Sequence, residues 1–145
     1  MASQREAIAL DIIDVLKDIR SPRPVLVTRE PFDVEKLAIT QFPAILVQSN
    51  NETRDTESMS TGGYRRGTIV YNIRGFVRGT ELDKQRNELI EAIEETLDSD
   101  RYRNLETSVV QNSQITNIEV IERLAPLAEF LISFEVNYYF VRGEA

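Results

Sequence analysis

The chain has 145 residues, 41% hydrophobic and 28% charged, and a formal net charge of −7. This is the mix of one soluble globular domain, long enough to bury a core without covalent staples. It contains neither His nor Cys, which excludes disulfides, thiolate nucleophiles, Ser-His-Asp and Cys-His catalysis and most transition-metal sites, while the acidic balance opposes sequence-independent nucleic-acid binding.

Ser3-Gln4-Arg5-Glu6 has the S-x-x-E form of a capping box and lacks the basic-then-apolar layout of a signal peptide. Ile8, Ile12, Val15, Leu16 and Ile19 follow at helical spacing, with Asp11, Asp14 and Asp18 on the other side, predicting an amphipathic helix over about 4–20. Ser21-Pro22-Arg23-Pro24 stops it, because proline lacks a backbone donor and restricts its predecessor. Val25–Thr28 reads as a short strand, Asp33 as the cap of one helical turn, and Ala44–Gln48 as a buried strand. Ser49–Gly67 is polar, and Gly62-Gly63 suits a turn, so the expectation is a long β-hairpin whose outer half projects from the body.

Thr68–Arg78 alternates, with Ile69, Tyr71, Ile73, Gly75 and Val77 on one face and Thr68, Val70, Asn72, Arg74, Phe76 and Arg78 on the other. Thr80 with Asp83 gives a second capping signal, and Leu82, Arg86, Leu89, Ile90, Ile93 and Leu97 form the stripe of a helix over about 81–97. Its outer surface is acidic. One or two strand pieces are expected in Val109–Val120, with Ile115, Asn117 and Glu119 alternating against Thr116, Ile118 and Val120. The longest strand signal is Ala128–Arg142, with Phe130, Ile132, Phe134, Val136, Tyr138 and Phe140 on one face. No apolar run has the ~20 residues of a membrane-spanning helix. The order predicts a single α+β domain, a mostly antiparallel sheet packed by two helices.

Candidate chemistry is sparse. Asp11, Asp14 and Asp18 lie on one helix face, whereas Mg²⁺ and Mn²⁺ sites recruit ligands from separate elements, so the stripe reads as solvated. Asp98 and Asp100 lack the glycine and glutamate of an EF-hand. Gly62–Gly67 has no lysine and precedes a strand, unlike a phosphate-binding loop. Tyr138 and Tyr139 could stack bases, but Tyr138 falls on the core stripe and no basic surface accompanies it. No catalytic, cofactor or metal residue is therefore assigned. Arg65 and Arg66 suit nucleic acid or an acidic protein surface, the net charge of −7 favouring protein, and Arg74 and Arg78 share a face with Phe76 that suits either solvent or a protein contact. Arg65, Arg66, Arg74 and Arg78 occupy a stretch without acids, while residues 80–100 hold Glu91, Glu94 and six further acids against Lys84 and Arg86. Such unlike poles suit head-to-tail association, with apolar neighbours such as Phe76 holding the contact, and they also suit an ordinary charged surface.

The opening helix Arg5–Ile19, the strand Phe42–Val47, the polar hairpin into Gly67–Val77, the helix Leu82–Leu97 and the closing strand Phe130–Tyr139 together resemble the tail-terminator proteins of long-tailed bacteriophages. The resemblance implies a non-enzymatic virion subunit, assembled in the host cytoplasm. It would form a ring, commonly a hexamer, that caps the tail tube and meets the head connector. It brings no cofactor, membrane or specific nucleic acid. The alternatives are another head–tail joining or minor tail protein, a carboxylate-dependent metal enzyme acting on phosphodiesters, and a small RNA-binding module.

Overall fold

The computed structural model describes residues 4–54, 64–99 and 110–141. The elements are α1 (Gln4–Lys17), β1 (Leu26–Thr28), β2 (Ala44–Arg54), β3 (Tyr64–Arg78), α2 (Leu82–Asp98), β4 (Val110–Ile121) and β5 (Leu127–Val141). Two 3-10 turns, Val34–Lys36 and Ile39–Gln41, connect β1 to β2. All strands belong to one sheet in the order β1-β2-β3-β5-β4. Only β1 and β2 are parallel; the other pairs are antiparallel. The expected α+β class is the one found.

The period-two patterns of β3 and β5 set the layers. Their ladder runs without a break from Tyr64 opposite Val141 to Arg78 opposite Leu127. Ile69, Tyr71, Ile73, Phe130, Ile132, Phe134 and Val136 therefore share one face, and both helices cover it. Ile8, Ile12 and Leu16 come from α1 and Leu89, Ile93 and Leu97 from α2, each fully buried. A buried side chain of this size contributes about 1.5–3 kcal/mol relative to exposure, so this single layer carries most of the fold's stability. Two glycines make room for rings in it. A Cβ on Gly75 would sit 2.0 Å from Cζ of Phe130, and one on Gly67 2.6 Å from Cε1 of Tyr138.

A smaller core lies on the other face, at one end of the sheet. The β1–β2 connection folds across it, packing Val34 and the partly buried Phe32, Leu37 and Phe42 on Ala44, Leu46 and Phe76. The cap expected from Asp33 is present, its carboxylate accepting from the Glu35 amide at 3.0 Å. Phe76 is 4% exposed and meets Phe32 edge-on, with centroids 5.4 Å apart. Its expected place at a subunit contact is thus corrected: the subunit's own second core takes it up.

Several boundaries differ from the sequence reading. Helix α1 ends at Lys17 instead of running to residue 20; Ile19 still reaches the core from the turn that follows. Ser3 lies outside the described residues. Glu81, not Thr80, is the N-cap of α2 and makes no side-chain cap bond, while Asp83 pairs with Arg86 instead. Of the expected projecting hairpin, Ser49–Arg54 and Tyr64–Gly67 are strand, and the latter lie between β2 and β5 or beside β5. Its tip, residues 55–63 with Met59, lies outside the described residues. In β4 a bulge between Ile115 and Asn117 resets the alternation, so Ile115, Ile118 and Val120 face the helix side and Asn117 and Glu119 the open side.

Candidate subunit interface

The residues singled out as two poles do not form two patches. Arg66 and Arg78 stand near opposite ends of β3, about 40 Å apart at roughly 3.3 Å per residue. Arg66 is exposed, and Arg78 is half-buried opposite Leu127. The side chain of Arg65 lies outside the described residues. Arg74 reaches Glu129, Nη1 to Oε2, at 3.8 Å. Glu129 is 2% exposed and is held more closely by Arg123, Nε to Oε1, at 2.6 Å. The Arg123 guanidinium also lies 5.9 Å from the centroid of Phe76. Arg74 is therefore part of a structural carboxylate site as well as a half-exposed surface group.

Glu91 and Glu94 both belong to α2 but face different neighbours. Glu91 lines a shallow depression with Glu88, Glu95, Ser21 and Pro22, against the turn after α1. Glu94 and Asp98 line another, against Gln114–Ile118 of β4. The acids lie in the helix layer, and Arg66, Arg74 and Arg78, at even positions of β3, lie on the open face, so these residues occupy opposite faces of one sheet.

An ionic network beside the distal end of β2 was not visible in the sequence. A bulge between Ser49 and Asn51 turns Glu52 to the helix side, opposite Ile69. There it accepts from Arg5 Nε at 2.9 Å, Arg54 Nε at 2.8 Å and the Tyr138 hydroxyl at 2.8 Å. The Tyr71 hydroxyl donates to the Arg5 carbonyl at 3.2 Å, and Arg29 forks onto Glu6 at 2.6 and 3.0 Å. The partners come from α1, the start of the β1–β2 connection, β2, β3 and β5, separated by up to 86 residues in the chain. Only the local Glu52–Arg54 spacing could have hinted at them.

The hydrogen bond from Arg5 holds the Glu52 carboxyl down at about 2 against the cost of its burial, with Tyr138 and Arg54 adding to the effect. Burial raises Tyr138, and its bond to Glu52 raises it further. The folded value of Glu52 lies below its ordinary 4.5, so its stabilisation is complete above that pH and is lost as pH falls towards 2. With screening at the half-exposed Arg5, the contribution is on the order of 1–2 kcal/mol. Glu52→Gln should lower stability at neutral pH and flatten its pH dependence between about 5 and 2. Urea denaturation at pH 6 and pH 3 measures both; an undiminished pH slope in the variant would place the acid sensitivity elsewhere.

Apolar side chains are left exposed at both edges of the sheet. At the β4 edge, Ile118 and Val120 are exposed on the helix side, and Leu124 in the β4–β5 turn is 90% exposed. With Leu82, Arg86, Leu127 and Ala128 the last two border an open groove of about 620 Å³. Beside β1, Val25 is 57% exposed, and Ile39, in the second 3-10 turn of the β1–β2 connection, is 68% exposed. Among the described residues no cluster of three or more acids is arranged to hold a metal ion, and no helix is long and apolar enough to cross a membrane. The sequence matches no family model and no curated protein.

Proposed function

We propose that this chain is a structural, ring-forming subunit of the tail-terminator kind, closing a phage tail tube and offering a face to the head connector. It would act without enzymatic chemistry, as part of the virion. The observation that carries this reading is the exposure of apolar side chains at both open edges of one sheet. A lone subunit leaves both in water. An isologous dimer covers one edge twice and leaves the other free, whereas a closed head-to-tail ring covers both in every copy. The likeness in element order to tail terminators supplies the biological setting. The arginines of the open face and the acids of the helix layer lie on opposite faces, where the tube and connector contacts above and below such a ring would form.

Mass photometry of the purified chain tests the reading. A closed ring has a discrete mass several times 16.6 kDa, about 100 kDa for six copies, and does not grow with concentration. A species of one subunit mass at every concentration up to about 100 μM, far above the dissociation constant of a stable interface, would rule the ring out. Head–tail joining without ring closure would give open multimers whose mass rises with concentration.

A further inference from the structure

The sheet holds the Glu52 carboxylate in place without help from a helix. The rung Arg54–Gly67–Tyr138 crosses β2, β3 and β5. Gly67 has no side chain, and Tyr138 fills the space that a Cβ would take, with its Cε1, Cζ and hydroxyl 2.6, 2.7 and 2.9 Å from that point. The ring therefore lies across β3, and its hydroxyl arrives at β2, where it donates to Oε2 of Glu52 at 2.8 Å. Nε of Arg54 donates to the same oxygen at 2.8 Å. Both partners belong to strands.

Arg5 of α1 completes the arrangement from outside the sheet. Its Nε donates to Oε1 of Glu52 at 2.9 Å and its Nη2 to Oε2 at 3.2 Å, the two-pronged fit of a guanidinium on a carboxylate. The Glu52 side chain is 20% exposed and that of Arg5 47%, so the carboxylate is the enclosed half of the pair and the guanidinium the accessible half. Behind the fork the Tyr71 hydroxyl donates to the Arg5 carbonyl, and Arg29 holds Glu6. The first residues of α1 to enter the core are Ile8 and Ala9. Ahead of them, Arg5 and Glu6 are fastened by polar contacts.

We infer that Glu52, Tyr138 and Arg54 form a guanidinium-binding socket built by the sheet, that the chain's own Arg5 fills it, and that an external alkylguanidinium takes the same place when Arg5 is withdrawn. The ligand class is the head group of an arginine side chain. A planar cation with two parallel donors matches the edge of the carboxylate, whereas an ammonium offers one compact point of charge. Tyr138 and Arg54 keep the carboxylate oriented when the socket is empty, so binding has little ordering left to do. The first turn of α1 is then a latch. It is released with Arg5, while the helix from Ile8 onward stays packed on the core. The socket belongs to one subunit and holds whether or not the chain closes into a ring.

Arg5→Ala empties the socket at a half-exposed position and should leave the sheet intact. In this variant the amides of Ile8 and Ala9, which close the first helical turn, should lose hydrogen-exchange protection at least about tenfold, with Ile69, Tyr71 and Ile73 unchanged. Titration with N-ethylguanidinium, followed by amide NMR shifts, should then move the Glu52 and Tyr138 signals saturably, with a half-effect below about 50 mM. The parent chain, its socket filled, should show no saturable shift in that range. Ethylammonium should bind Arg5→Ala at least about fivefold more weakly. Adding Tyr138→Phe, which keeps the ring and removes the donor, should weaken ethylguanidinium binding at least about threefold, and adding Glu52→Gln should abolish it. No saturable shift in Arg5→Ala, an equal shift in the parent chain, or a shift that survives Glu52→Gln would overturn the socket. Unchanged protection of Ile8 and Ala9 would overturn the latch. Lost protection across β3 and β5 would overturn both, because the helix would then be needed to build the site.

Discussion

Gly75→Ala should cost the fold about 2–4 kcal/mol, a large part of the 5–15 kcal/mol typical of a domain. An alanine in a strand is ordinarily better than glycine by about 0.5–1 kcal/mol, so the sign itself is informative. Here the new methyl carbon falls 2.0 Å from Cζ, 2.3 Å from Cε1 and 2.8 Å from Cε2 of Phe130. That ring is fully buried beneath the helices, so it cannot swing into solvent. Phe130→Leu removes the obstructing ring atoms. The double variant should therefore be more stable than Gly75→Ala alone, with a coupling of at least ~1 kcal/mol measured by urea denaturation. Strict additivity would mean that the ring of Phe130 does not occupy the space over Gly75.

The second large effect is expected at Glu129. Its carboxylate is buried on the open face, opposite Phe76, and two arginines reach it. Arg123→Leu leaves it with the more distant Arg74 alone, and removing one partner of a buried pair is far costlier than removing both. We expect a loss of about 2–4 kcal/mol for Arg123→Leu, and most of it recovered in the double variant Arg123→Leu with Glu129→Leu. Thermal and urea unfolding of the two proteins give the comparison. A loss within the ~0–1 kcal/mol of an ordinary surface pair would show that solvent already reaches and stabilises the carboxylate.

Much of the architecture was legible because period and burial coincide. Ile69, Tyr71, Ile73 and Val77 alternate in sequence and point into one core; Leu89, Ile93 and Leu97 repeat at helical spacing and pack on it. Where the period breaks, the reading broke as well. Thr116 is the extra residue of a bulge, and without it Ile115 would fall on the opposite face from Ile118. The bulge in β2 has the same effect on Glu52. Phe76 sits in the polar register of β3, and nothing local indicates that a separate connection, 29–43, crosses the sheet to cover it. The exposure of Val25, Ile39, Val120 and Leu124 was least legible of all, because nothing in the local sequence tells an apolar residue left at a sheet edge or turn from one that is covered. The charge contrast between 65–78 and 80–100 was real in sequence, but the fold places Arg66, Arg74 and Arg78 on the face of the sheet opposite to the acids of α2.

The position of β5 imposes an order on synthesis. It lies between β3 and β4 in the sheet yet follows both in the chain, so β3 and β4 can become neighbours of a common strand only after Leu127–Val141 has left the ribosome. Until then β3 holds one row of amide and carbonyl groups without a strand partner, and Leu89, Ile93 and Leu97 of α2 lack Phe130, Ile132 and Phe134 to pack on. The nascent chain thus leaves its larger core unfinished until the last strand emerges, a burden typical of folds dominated by long-range pairing. Closure is then a single late event in which one strand fills two ladders at once.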